Sequence, residues 1–247
     1  MKCFIYKEAM LLSVVIPVYN EAPCLEANLE AVEAFLRPRF GERHEIVCVD
    51  DGSRDGSGKV LAALDGRLPL RVLTHPENRG KGAAVRTGMA AARGETVFFF
   101  DADLSTPLVE MERFWELLRG GAHVVIGTRK SAGAKIKRFQ PPHRVVMGLG
   151  YTYLVNLVMG LRISDYTCGF KAFSRKAVDA IVPRLTVDGW SFDVEILYLA
   201  RRLGFEVREV PVTWENRPGS KVRLVRDTMR SFRELLQIRR RHRDAGP

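Results

Sequence analysis

Thr96-Val97-Phe98-Phe99-Phe100-Asp101-Ala102-Asp103-Leu104-Ser105 decides the fold. Its first five residues are an uncharged run of β-branched and aromatic side chains, the pattern of a strand buried on both faces. Two carboxylates follow at once. At the end of a buried strand they are costly unless something positive binds them. Such a strand implies helices on both faces of its sheet, and those sheets bind ligands outside the carboxyl ends of their strands.

Working outward, three similar runs lie upstream, at 12–18, 45–50 and 70–74, and a fifth lies downstream at 122–127. Helical patterns separate them, around Leu25, Leu29, Val32 and Phe35, then at 55–64, 81–92 and 107–118. The last opens with Pro107, a residue suited to a first helical turn. Strands alternating with helices predict an α/β fold with a Rossmann-like, mostly parallel sheet and helices on both faces. One catalytic domain is expected over 11–222, between tails at 1–10 and 244–247. Met10 stands just before the first strand and is an alternative start.

The second half reads differently. Residues 145–161 carry no charge over 17 positions and lie between Arg144 and Arg162. A bilayer span needs about 20 mainly apolar residues. The run is shorter and includes Gly148, Gly150, Asn156 and Gly160, so an interface helix or a core helix is the better reading. The segment 137–162 is taken as the stretch that would touch a membrane interface. Over 223–243, Val225, Met229, Phe232, Leu235, Leu236 and Ile238 recur at helical spacing among Arg223, Arg226, Arg230 and Arg233. That predicts a basic amphipathic C-terminal helix of the kind that lies on anionic lipid.

Composition fits a folded protein, with 46% hydrophobic and 28% charged residues in 247. Cys3, Cys24, Cys48 and Cys168 are scattered without metal-ligand spacing and read as reduced thiols of a cytoplasmic protein. No signal-peptide pattern opens the chain. The net charge of +10 is unevenly placed. Residues 129–144 hold six Lys/Arg and no acid, and 217–243 hold ten Lys/Arg and two acids. Together these segments carry +14, leaving −4 on the rest. That distribution disfavours nucleic acid along the main body and suggests an anionic surface met at one place. Nothing in it sets the oligomeric state.

Asp101 and Asp103 suit a hard divalent cation, since Mg²⁺ is typically held by one or two carboxylates plus phosphate oxygens and water. The competing reading is a polar loop with a helix cap before Pro107. Asp50-Asp51-Gly52-Ser53 and Pro17-Val18-Tyr19-Asn20-Glu21 end two other strands in the same way. Tyr19 offers a face for a base and Asp51 a carboxylate for a nucleobase or ribose; a simple Asx turn is the alternative for Asp51. Asn78-Arg79-Gly80-Lys81-Gly82 precedes a helix and either approaches a phosphate or supplies small residues for packing. The dinucleotide and P-loop fingerprints are missing.

In this order and spacing, PVYNE, DDGS, NRGKG and DADLS resemble family 2 glycosyltransferases with the GT-A fold. Ser164–Lys171, Trp190–Glu195 and the segment from Trp214 to Lys221 resemble the later motifs of dolichyl-phosphate β-glucosyltransferases. The resemblance covers about residues 12–225, and a form without the membrane anchors found at one end or the other of many such relatives is expected. It implies that Pro17, Tyr19, Glu21, Val49 and Asp51 line the base and ribose pocket, with Lys81 also on the donor. Asp101 and Asp103 would hold Mg²⁺ or Mn²⁺, with Ala102 beside the diphosphate. Arg129, Arg217 and Lys221 would meet phosphate charge, through bonds of the strong, charge-assisted kind. Asp165, Trp190 and Asp193 would serve the acceptor, Asp165 either positioning it or acting as a weak base; Asp193 and Glu195 would equally charge the first turn of a helix.

The reaction so implied moves a hexose, glucose by resemblance, from a nucleotide-diphosphate donor such as UDP-glucose to a polyprenyl phosphate. Direct displacement turns an α-linked donor into a β-linked product. A phosphate acceptor is already ionised near pH 7 and requires no strong base. A transferase acting on a saccharide or protein is the second reading, and a nucleotide- or nucleic-acid-binding module without catalysis the third. Binding to liposomes separates the first from the second, and metal-dependent donor hydrolysis separates both from the third. The leading reading places the protein peripherally at the cytoplasmic face of a membrane.

Overall fold

The structure, a computed structural model, describes residues 10–138, 140–217 and 224–246. Lys221 and the tail before Met10 lie outside the described residues. The chain runs β1 (Leu12–Val18), α1 (Ala22–Phe40), β2 (His44–Asp50), α2 (Ser57–Leu64), β3 (Leu70–Thr74), α3 (Lys81–Ala91) and β4 (Thr96–Phe100). It continues through α4 (Met111–Arg119), β5 (Val124–Thr128), β6 (Lys135–Arg138), α5 (Pro142–Met159), β7 (Phe170–Ser174) and α6 (Arg175–Ile181). It closes with α7 (Phe192–Arg202), β8 (Val207–Pro211), β9 (Thr213–Glu215) and α8 (Leu224–Arg241).

Seven strands form one sheet in the order β3-β2-β1-β4-β7-β5-β8. The mostly parallel sheet expected from the alternation is present, with β7 antiparallel to both β4 and β5. Strand period 2 sorts the core into two layers. Val14, Ile16, Phe98 and Phe100 face α1, α2 and α4. Val15, Val47, Val97 and Phe99 face α3, α6 and α7. A separate parallel pair, β6 with β9, stands beside the main sheet. The helix expected from Pro107 starts as a single 3₁₀ turn, Leu108–Glu110, before α4.

The two segments assigned to lipid part company. On α5, Val146, Leu149, Tyr153 and Leu157 are exposed at helical spacing, Tyr153 at 73% and Val146 and Leu157 each at 68%. The inner face of α5 buries Thr152, Val155 and Met159. No described helix is long and apolar enough to cross a membrane. On α8, two residues of the expected apolar stripe, Leu235 and Ile238, are fully buried, with α8 packed on α5 and α7, while Leu236 is exposed. Each such burial is worth about 1.5–3 kcal/mol, so the protein's own core takes that part of the stripe. The side chains of Val225, Met229 and Phe232 lie outside the described residues. Arg239 donates to the Val158 carbonyl at 2.8 Å, Arg241 donates to Thr186 Oγ1 at 3.0 Å, and His242 Nε2 lies 2.8 Å from Glu195. Arg233, Arg239, Arg240 and Arg241 are exposed, as Leu236 is.

Candidate active site

β1, β2, β4 and β5 end along one edge of the sheet, and β7, running the other way, begins there. Phe100 pairs with Phe170, so the loop before β7 arrives beside Asp101. A Cβ on Gly169 would lie 2.1 Å from Asp101 Oδ2, so only a glycine lets the carboxylate sit there. The Asp103 carboxylate accepts from the Ser105 backbone N–H at 2.9 Å, and Leu104 between them adopts φ +50°. Burial and the neighbouring Asp101 charge raise the Asp103 pKa above the usual carboxylate range. Asn28 on α1 donates to the Ala102 carbonyl at 2.7 Å and pins this turn to the opposite layer.

Lys81, the first residue of α3, places its ammonium 2.6 Å from Asp101 Oδ1. It also faces the rings of Phe99, Trp190 and Phe192 at 5.5, 5.5 and 5.9 Å. Burial disfavours its charge, but Asp101 and then Asp193 outweigh that, and its pKa is raised. The glycines flanking Lys81 serve close packing. A Cβ on Gly80 would meet the Asp188 carbonyl oxygen at 2.4 Å, and one on Gly82 would meet that of Val187 at 2.5 Å. The packing reading of the Asn78–Gly82 loop is met by these contacts, which deliver Lys81 to the strand edge.

Asp51 is buried and fully engaged. It accepts from the Arg79 and Gly80 N–H groups at 2.9 and 2.8 Å and from Asn78 at 2.9 Å, and His75 Nδ1 lies 2.7 Å away. It therefore fixes the loop that carries Lys81. Pro17 pairs with Val49 in the β1–β2 register, Val49 is buried, and Tyr19 is exposed at the rim. The turn after β1 is stitched to that after β2, with the Asn20 N–H donating to Ser53 Oγ at 3.0 Å and the Glu21 N–H to Ser57 Oγ at 2.9 Å.

Arg129, just past β5, is held by Asp165. Its Nε donates at 2.7 Å and an Nη at 2.9 Å to the two carboxylate oxygens, and its guanidinium lies 5.2 Å over Trp214. Asp165 is completely buried. Burial opposes its ionisation, yet Arg129, with Lys130 behind it, pushes its pKa down to about 2. The Lys130 ammonium, 3.9 Å from Asp165, donates to the Gly148 carbonyl at 2.9 Å and to Thr152 Oγ1 at 2.6 Å, both on α5. A third pair was invisible in the sequence: Lys171, inside β7, donates to Asp193 and to the Cys168 carbonyl at 2.6 Å each. Its one available signal was a lysine inside an otherwise apolar strand, a position that demands a buried anion. Asp193 and Glu195 stand in the first turn of α7 as the helix reading expected, and Glu195 accepts from the Thr186 and Val187 N–H groups at 2.9 and 2.8 Å. Arg217 is exposed, 3.8 Å from Glu215, and contacts none of these groups.

The edge thus unites Asp101, Asp103, Lys81 and Trp190, with Asp165, Arg129 and Trp214 forming a second cluster. Among the described residues no three His, Cys, Asp or Glu side chains converge as a complete metal cage. The Asp101–Asp103 turn still suits a divalent ion: both donors are hard oxygens, Asp103 is short of counter-charge, and Gly169 packs closely enough to hold the Asp101 carboxylate in place.

Residues 13–182 match the sequence profile of glycosyl transferase family 2. The dolichyl-phosphate beta-glucosyltransferase of Saccharomyces cerevisiae is 35% identical, over 94% of this chain and 75% of its own length. The human protein of that name is 32% identical over 94% and 75%. Among solved structures, mannosyl-3-phosphoglycerate synthase from Rubrobacter xylanophilus shares the fold at a TM-score of 0.68 and 18% identity, covering 95% of this chain and 74% of that one. Glucosyl-3-phosphoglycerate synthase from Mycobacterium tuberculosis, solved with Mn²⁺ and UDP-glucose, gives 0.65 and 22%, covering 94% and 79%. On its sheet order, its strand-end aspartates and these matches, the chain belongs to glycosyl transferase family 2, with the GT-A fold.

Proposed function

We propose that the chain transfers glucose from UDP-glucose to a polyprenyl phosphate with inversion at the anomeric carbon. One observation carries the choice of acceptor. Lys130 ties the Asp165–Arg129 cluster to the middle of α5, the helix whose outer face is exposed and apolar. A phosphate at the strand edge with its hydrocarbon along α5 satisfies both features. The dolichyl-phosphate glucosyltransferases it resembles are named for that acceptor.

Mg²⁺ or Mn²⁺ held by Asp101 and Asp103 would supply positive charge for the departing diphosphate. Pro17, Tyr19, Glu21 and Val49 line the end of β1 and β2 and take the base and ribose, and Asp51 shapes that pocket from behind through the Asn78–Gly80 loop. Ala102 sits beside the diphosphate, and Arg217 and Lys221, which follow Trp214 in the sequence, meet its charge. An acceptor phosphate oxygen attacks the sugar; the bond to the UDP oxygen breaks and its electron pair leaves with UDP. Asp165, ionised down to a pH of about 2, takes no proton in this step. It aligns Arg129, while Trp190 and the Lys171–Asp193 pair frame the acceptor side. The protein works peripherally at the cytoplasmic face of a membrane, with α5 as the apolar contact and the basic 129–144 segment toward anionic headgroups.

The test is a transfer assay with UDP-glucose, Mn²⁺ and polyprenyl phosphate in detergent, read by mass of the lipid product. Wild type should form β-glucosyl polyprenyl phosphate. Asp101→Asn and Asp103→Asn should each lose about 100-fold or more, the scale of a lost electrostatic stabiliser. No lipid product with any common nucleotide-sugar, or full activity of both variants, would refute the assignment.

A further inference from the structure

The Lys81 ammonium stands where the counter-charge of Asp101 is needed. It lies 2.6 Å from one carboxylate oxygen and over three ring faces, those of Phe99, Trp190 and Phe192, with the charges of Asp193 and Asp103 beyond. Ring faces attract a cation wherever it sits over them and donate nothing that would lock it in one place. The backbone at Lys81 is fixed, since its flanking glycines are pressed against the 187–189 carbonyls. The flexible four-carbon stem leaves the ammonium free to shift while the helix stays put. A divalent ion arriving at Asp101 meets a positive charge already in contact with the same carboxylate.

We propose that Lys81 is an internal competitor for the metal: paired with Asp101 in the free enzyme, it is drawn off by the donor diphosphate, which opens Asp101 to the divalent cation. The inference rests on Asp101 and Asp103 being the metal-holding pair. The aromatic faces keep the displaced ammonium near the site, so one side chain blocks metal in the empty enzyme and binds phosphate in the loaded one. Metal and nucleotide are then mutually dependent, each raising the other's affinity by the same factor. A metal ion bridging protein and diphosphate produces such coupling by itself. What marks the competitor is the effect of deleting its charge when no nucleotide is present.

The experiment is a titration of the full chain with Mn²⁺, following free Mn²⁺ by electron paramagnetic resonance, with and without UDP. Wild type should bind Mn²⁺ weakly alone and more tightly with UDP. Lys81→Met, which keeps the stem and removes the charge, should bind Mn²⁺ alone about 10-fold more tightly, a difference of about 1.4 kcal/mol, and show a smaller effect of UDP. Lys81→Arg keeps the charge and should stay as weak as wild type. Lys81→Gln serves as a second neutral variant, with thermal melts to confirm folding. Unchanged or weaker Mn²⁺ binding by the neutral variants overturns the proposal. So does failure of wild type to bind Mn²⁺ even with UDP, or unfolding of both neutral variants, which would make the ammonium structural. None of these readouts needs sugar transfer, so an enzyme that rejects polyprenyl phosphate yet shows the tightening loses the acceptor assignment and keeps this one.

Discussion

At the scale of single residues, opposite charges brought together from distant parts of the chain define the site. Asp165 is the one with the firmest consequence for stability. Its folded pKa of about 2 lies below the roughly 3.9 of an unfolded aspartate. A depressed carboxylate contributes stability in full above the unfolded pKa and loses it as pH falls through the folded one. The window is therefore about pH 4 down to 2, and the contribution is about 2–3 kcal/mol. Asp165→Asn leaves Arg129 buried without its partner and should cost about 3–5 kcal/mol at pH 7. That deficit should shrink as pH approaches 2, as measured by urea unfolding at both pH values; a constant deficit would mean that the pair's charge is not what stabilises. The aspartates of the strand ends were legible because they follow apolar runs, where charge is conspicuous. The Lys171–Asp193 pair was not, because its members lie 22 residues apart and each looks ordinary alone.

At the scale of elements, α5 and α8 show why amphipathic spacing underdetermines a partner. Both carry apolar side chains at helical intervals, and spacing does not say whether protein or lipid covers them. On α8 the protein covers Leu235 and Ile238; on α5 much of the apolar surface is left outside. Vesicle binding should therefore depend on α5. Val146→Asp with Leu157→Asp removes two exposed apolar side chains worth about 1.5 kcal/mol or more each if buried in lipid. Binding to anionic vesicles in flotation should fall by about 100-fold. UDP binding should be retained, since neither side chain touches the strand edge. Equal flotation of the double variant and wild type would leave α5 without a lipid role. Strands β1 to β5 were readable because their runs are apolar and bounded by turn residues. β6 and β9 were not, being four and three residues long and largely polar. β7 was quoted for its motif but hidden as a strand, since Lys171 breaks its apolar run.

At the scale of the whole molecule, the uneven charge predicted one anionic partner surface, and the fold gathers much of it around α5 and α8. Arg233, Arg239, Arg240 and Arg241 sit on exposed positions of α8, which packs on α5, and Arg144 is half-buried near the start of α5. Vesicle binding should accordingly weaken between 50 and 500 mM salt, as the screening length falls from about 14 to about 4 Å. Salt-independent flotation would assign the attachment to apolar contact alone. The antiparallel β7 has a different consequence, one that concerns how the chain is made. It lies between β4 and β5 and hydrogen-bonds to both. When a ribosome has released the chain only as far as β5, the centre of the sheet is a gap with two open strand edges. Nothing can close it until residue 174 has emerged, some fifty residues later. Open edges of this kind invite pairing between nascent chains. The protein should thus be folded late and all at once, and a gene truncated after residue 138 should yield aggregated material, not a small soluble nucleotide-binding half.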